Sequence, residues 1–113
     1  MTELREIRAF VHEVRIADIL HALAAAGLPG PHGHLVVSRV QGTLSAVDPK
    51  ERDYSLALGE QVTDELRLEL YLPAERLDEA ITLIERQART QRPRSAWLFI
   101  YRPEQARVVS GGS

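Results

Sequence analysis

Leu66-Arg67-Leu68-Glu69-Leu70-Tyr71-Leu72-Pro73 is the clearest strand in the chain. Leucines at every second position alternate with Arg67, Glu69 and Tyr71, a period of two that turns one apolar face to a core and leaves the other face mixed. The neighbouring elements fall into place around it. Downstream, Pro73 opens a helix whose buried face is Leu77, Ala80, Ile81, Ile84 and Ala88. A short basic loop, Thr90 to Ser95, leads to a last strand from Trp97 to Tyr101, with Trp97, Phe99 and Tyr101 on one face and Leu98 and Ile100 on the other. Upstream, from Leu44 to Asp64, the periodicity dissolves, and Asp48-Pro49-Lys50-Glu51-Arg52-Asp53 reads as a charged turn. Before that loop comes a β-branched strand from Leu35 to Thr43, and before it a helix from Arg15 to Gly27 with Ile16, Ile19, Leu20 and Leu23 on one stripe. Gly27 caps that helix, and Pro29-Gly30-Pro31 enforces the stop. The first strand, Arg5 to His12, sets Ile7, Ala9 and Val11 against Arg8, Phe10 and His12.

Strand, helix, strand, long loop, strand, helix, strand predicts an α+β fold: a ferredoxin-like βαββαβ sandwich with an antiparallel four-stranded sheet and both helices on one face. The 113 residues make one domain, 1–113, with a single core. The bare sheet face carries Val, Tyr and Trp, which predicts oligomerisation through the sheet. A long irregular loop inside so small a domain is a place to look for function.

Composition excludes several classes. A net charge of −2 and 27% charged residues give no long-range pull on nucleic acid or an anionic membrane. The chain has no cysteine, hence no disulfide, thiolate metal site or thiol nucleophile. Met1 to Arg8 is charged without an apolar core and does not read as a signal peptide, and no run is long enough to span a bilayer. A cytoplasmic location fits. Residues 110–113, Ser-Gly-Gly-Ser, read as a flexible tail.

In their order, several stretches resemble the PII signalling family, on its divergent PII-like branch that includes carboxysome-associated members. These are Glu6-Ile7-Arg8-Ala9-Phe10-Val11, Ile19 to Leu23, Ala26-Gly27-Leu28-Pro29-Gly30, Val37-Ser38-Arg39-Val40-Gln41-Gly42, Leu66 to Pro73, Ala88-Arg89-Thr90 and Leu98-Phe99-Ile100. The resemblance implies a homotrimer that is not an enzyme and requires no cofactor. It implies an adenine nucleotide (ADP, AMP or ATP), with bicarbonate or another small anion as co-effector, bound in clefts between subunits. Occupancy would be reported to an unidentified protein target through a T-loop at about 43–64, with a B-loop at about 90–96. The residues this assigns to nucleotide and anion binding are Gly42, Thr43, Thr90, Arg92, Arg94 and Arg107, and Lys50, Arg52 and Tyr54 fall in the partner-docking loop. Nitrogen or inorganic carbon regulation would be the setting.

The chain also departs from the family. Its B-loop reads Gln91-Arg92-Pro93-Arg94-Ser95-Ala96-Trp97, without the family's glycines and with Trp97 where a lysine is expected. Thr43-Leu44-Ser45 replaces the family's Arg-Gln-Lys run, and Tyr54, the loop's one tyrosine, is offset from the position that nitrogen-sensing members modify. Arg92 and Arg94 still offer charge-assisted bonds to an anion. Two rival readings stand beside this one. His32 and His34 would supply part of a metal shell in a CutA-like trimer, and the same element order also suits a small dimeric α+β barrel enzyme. A Ser38, His12 and Asp18 triad has no supporting spacing. The Trp97, Phe99 and Tyr101 face lacks the signature that accompanies RNA-reading sheets, so neither nucleic acid nor membrane insertion is expected.

Overall fold

The computed structural model describes residues 3–44, 52–55 and 60–112. Seven elements follow in chain order: β1 (Leu4–His12), α1 (Ile16–Ala25), β2 (His34–Gly42), β3 (Arg52–Ser55), β4 (Glu60–Pro73), α2 (Leu77–Ala88) and β5 (Ala96–Tyr101). The main sheet runs β2-β4-β1-β5 with antiparallel neighbours, and the short β3 pairs with the beginning of β4. The leucine-rich strand is therefore central. Its inward row is continued by its neighbours: Ile7 and Leu35 stand opposite Leu70, Ala9 opposite Leu68, and Val11 opposite Leu66. Ile7, Ala9, Val11, Leu68, Leu70 and Leu72 are fully buried and pack with Ile19 and Leu23 of α1 and Ala80, Ile84 and Ala88 of α2. Both helices thus cover one face of the sheet, as the sequence predicts.

Local chemistry sets the helix ends. Gly27 adopts a left-handed φ of 72°. Its N–H reaches Ala24 O at 3.0 Å while Leu28 N–H reaches Leu23 O at 2.9 Å, the paired bonds of a Schellman cap. The two helices are tied to each other near both ends. Arg15 Nε donates to Gln87 O at 2.6 Å, and Arg76 Nη2 donates to Ala26 O at 2.8 Å.

Three boundaries differ from the sequence reading. Pro73 closes β4 and does not open the helix, because a 3-10 turn (Ala74–Arg76) intervenes. A matching turn (Glu13–Arg15) delays α1, and His12 caps it by accepting Val14 N–H on Nδ1 at 3.1 Å. The third difference bears on function: β4 starts at Glu60, six residues before the alternation becomes visible, and part of the expected loop is strand. Asp64 puts a carboxylate on the row that Leu66 continues, which hides the period, but Val62 is buried again and β3 supplies the ladder there. Arg52 and Tyr54 lie in β3, opposite Thr63 and Gln61, whereas Lys50 lies outside the described residues.

Because the core hangs on the central strand, Leu68→Ala or Leu70→Ala should lower unfolding free energy by about 2–5 kcal/mol in chemical denaturation. Val37→Ala, at a residue 40% exposed, should cost about 0.5 kcal/mol.

Candidate functional site

The alternation that buries the leucines sends Glu65, Arg67, Glu69 and Tyr71 to the face without helices. There they meet Glu6, Arg8, Phe10 and His12 of β1, the even-numbered residues of β2, and Trp97, Phe99 and Tyr101 of β5. Arg8 organises one end of this face. It bonds Glu6 at 3.0 Å, stands 3.4 Å from Glu69 and lies 4.9 Å from the centre of the Tyr101 ring. Burial together with the carboxylates of Glu6 and Glu69 pushes the Tyr71 hydroxyl pKa up. Arg67 Nε and Ser38 Oγ are buried with no hydrogen-bond partner among the described residues, and Arg8 Nε is buried with only its 3.4 Å ion pair to Glu69.

At the other end of the face, where β2 gives way to the loop, one carboxylate dominates. Glu65 is 3% exposed and accepts Leu44 N–H on Oε2 at 2.9 Å. Gly42 makes this possible. It pairs with Thr63, two residues along the same face from Glu65, and a Cβ at position 42 would collide with the carboxylate. The glycine is needed there for space rather than for unusual backbone angles. Burial pushes the Glu65 carboxyl above its ordinary value of 4.5, opposed by the Leu44 amide and by the charge of His12, which stands opposite it on β1.

These residues wall a cleft of about 230 Å³ lined by Phe10, Val40, Gln41, Gly42, Thr43, Leu44, Glu65, Trp97 and Phe99. Its aromatic side is braced: Trp97 stacks on Phe99 (5.8 Å, 17°), and Phe10 meets Phe99 edge-on (5.9 Å, 84°). A wider depression of about 410 Å³, lined by Thr82, Glu85, Arg86 and Arg89, lies along α2 and just beyond it. It contains no residue at the root of the loop, so the smaller cleft is the stronger candidate.

The sequence-derived site residues divide between two places. Gly42 and Thr43 line the cleft. Thr90, Arg92 and Arg94 lie in the loop before β5, and Arg107 lies in the C-terminal segment. Arg92, Arg94 and Arg107 are exposed, and Arg107 Nε donates to Gln105 at 3.1 Å. Thr90 holds its own loop together: its N–H and hydroxyl both meet Ser95 Oγ at 3.0 Å, and its hydroxyl accepts Arg92 N–H at 3.1 Å. His34 opens β2 and stacks on Tyr71 at 6.4 Å, and His32 lies in the preceding turn. Among the described residues no three His, Cys, Asp or Glu side chains are grouped to hold a metal. Sequence reasoning missed Glu65, Leu44 and Phe10 as site residues. The available signal was a carboxylate on the outward row of the central strand, level with the glycine that ends the neighbouring strand.

No family model matches the chain, and no curated protein matches it. Among solved structures it is similar to the PII protein of Arabidopsis thaliana, crystallised bound to citrate. The TM-score is 0.67 and the identity 19%, over 90% of this chain and 78% of that one. Likeness at that identity shows the fold: a ferredoxin-like α+β fold of the PII kind. No helix among the described residues is long and apolar enough to cross a membrane.

Glu65→Gln should preserve the bond to Leu44 N–H while removing a buried charge, leaving the protein at least as stable as wild type at neutral pH. Glu65→Ala should cost about 1–3 kcal/mol, because the Leu44 amide loses its partner. Since the folded carboxyl holds its proton to higher pH than the unfolded one, the Glu65 contribution to stability falls as pH rises from 4.5 through the raised value. Denaturation midpoints of Glu65→Gln, followed over that window, should lack this component.

Proposed function

We propose that this protein is a PII-like regulator: a small effector enters the cleft and biases the conformation of the loop that leaves it. The supporting observation is the Glu65 junction. Gly42, Thr43 and Leu44 are at once the wall of the cleft and the root of the loop, and one buried carboxylate ties them to the central strand. A ligand that prefers one arrangement of this wall shifts the loop population by its difference in affinity for the two arrangements. The loop beyond would then dock on or release a protein target, with Lys50, Arg52 and Tyr54 on its docking surface. No step in this scheme transforms the effector, so the reading is of a regulator and not an enzyme.

Adenine nucleotide is the proposed effector, with bicarbonate or a similar anion as co-effector. Gly42 and Thr43 would contact the ligand inside the cleft. Arg92, Arg94 and Arg107 would meet its phosphates outside, with Thr90 shaping the loop that presents Arg92 and Arg94. Association into a homotrimer would assemble complete clefts between subunits. It would also cover a face where Arg67 Nε and Ser38 Oγ have no hydrogen-bond partner among the described residues and where Trp97 and Tyr101 are 52% and 42% exposed. An intracellular role in nitrogen or inorganic carbon control fits this ligand set.

Isothermal titration with ATP, ADP and AMP, with and without bicarbonate, should give micromolar binding. Heat from none of them would remove the proposal. Replacing Arg92 and Arg94 together by Ala should weaken ATP binding by about 1.5–3 kcal/mol, the size of a lost charge-assisted bond; unchanged affinity would take these residues out of the site. Light scattering should return three times the 12.7 kDa chain mass, where a dimer would favour the barrel-enzyme alternative.

A further inference from the structure

We infer that the cleft takes a small quaternary ammonium cation, held by the charge of Glu65 and by the faces of the aromatic wall. This adds a second class of ligand to the regulatory reading above, and it rests on that reading only for what binding does to the loop.

The first ground is charge. Among the described residues that line the cleft there is no lysine, arginine or histidine, and Glu65 is the one ionisable side chain. His12 stands opposite it on β1 and Arg67 lies two residues along the same face, but neither is among those lining residues. Glu65 is 3% exposed, and a charge so poorly hydrated attracts a neighbouring cation more strongly than it would in water. Anions are repelled for the same reason.

The second ground is the aromatic surface. Phe10, Trp97 and Phe99 all belong to the wall. Trp97 and Phe99 lie 17° from parallel and Phe10 meets Phe99 at 84°, so the rings present faces in two directions. Each face is the negative side of a quadrupole, and an indole offers the strongest one to a cation. Trp97 keeps 52% of its surface uncovered. The departure at position 97 then has a physical sense, because a lysine there would repel the ligand that an indole attracts.

The third ground is the count of donors. A primary ammonium brings three N–H groups that each need an acceptor, whereas the cleft's carboxylate already accepts Leu44 N–H on Oε2. A quaternary ammonium has no N–H. Charge and contact alone hold it, and the tie to Leu44 stays in place. At about 230 Å³ the cleft lies below the ~300 Å³ at which pockets for drug-sized molecules begin, which suits so small a cation. Gly42, Thr43 and Leu44 form both this wall and the root of the loop, so a seated cation favours the arrangement that keeps Leu44 on Glu65. Gly42 and Thr43 are also proposed nucleotide contacts, so cation and nucleotide each change the other's affinity by the same factor.

Trp97 is the chain's single tryptophan, so its emission reports on the cleft directly. Wild-type protein is titrated at neutral pH with choline, with dimethylbutanol (choline's uncharged carbon isostere) and, separately, with ATP, following tryptophan fluorescence and heat. Choline should bind saturably and change Trp97 emission, and the isostere should bind at least about tenfold more weakly. Glu65→Gln, checked for wild-type thermal unfolding, keeps the side chain's shape without its charge and should weaken choline binding at least about tenfold. Trp97→Leu, followed by heat, should weaken it about 3–30-fold, the range of a cation–π contact. Equal affinity for choline and its isostere would overturn the inference without reference to any variant, as would undiminished choline binding by Glu65→Gln or choline binding that leaves Trp97 emission unchanged. ATP binding without choline binding would overturn the inference and leave the regulatory reading standing. Choline binding without ATP binding would uphold the cation site and remove the nucleotide reading, and binding by neither would overturn both.

Discussion

The alternation of β4 is the constraint on which the rest depends. A strand with partners on both edges sends successive side chains to opposite faces, so one register choice fixes two surfaces at once. With Leu66, Leu68, Leu70 and Leu72 inward, the core closes against Ile7, Ala9 and Val11 and the two helices. The same choice obliges Glu65, Arg67, Glu69 and Tyr71 to share the other face with Arg8, Phe10 and Trp97. A slip by one residue would bury the charges and expose the leucines. The stability of the fold and the chemistry of the bare face are therefore two consequences of one pattern.

The end of that pattern is where stability yields to a site. Position 65 could hold a small polar residue with less desolvation cost. Instead it carries a carboxylate whose burial raises its pKa, set against a glycine that gives it room and a backbone amide that donates to it. A buried charged group costs free energy unless its hydrogen bonds are made, and here one is made by the loop. The loop root and the central strand are coupled through this one buried carboxylate. The aromatic shelf on β5 supplies the complementary half, an apolar surface that binding would cover.

The order of elements, the core face of each strand and the stripe of each helix were legible because each rests on periodicity over many residues. The Gly27 cap was legible for a similar reason: a glycine followed by Pro29-Gly30-Pro31 leaves the chain few alternatives. Glu65 was not. Two residues before Leu66, Asp64 interrupts the inward row, and a reading by alternation stops there although the strand continues to Glu60. The role of Gly42 was legible only as a strand end, because the carboxylate that needs its missing side chain comes from another strand. Phe10 likewise reads as one residue on a mixed face until β5 is placed beside it, opposite Trp97. Thr90, assigned by the family resemblance, has a hydroxyl engaged by Ser95 and the Arg92 amide of its own loop, a role that local sequence does not show.

The most direct measurement is the hydrogen-exchange rate of the Leu44 amide in wild-type protein and in Glu65→Ala. If the carboxylate ties the loop to the sheet, this amide is protected in wild type, its protection rises when adenine nucleotide fills the cleft, and it is lost in the variant while the core amides of β4 stay protected. Exchange equally fast in both proteins, and unmoved by nucleotide, would contradict the coupling between cleft and loop.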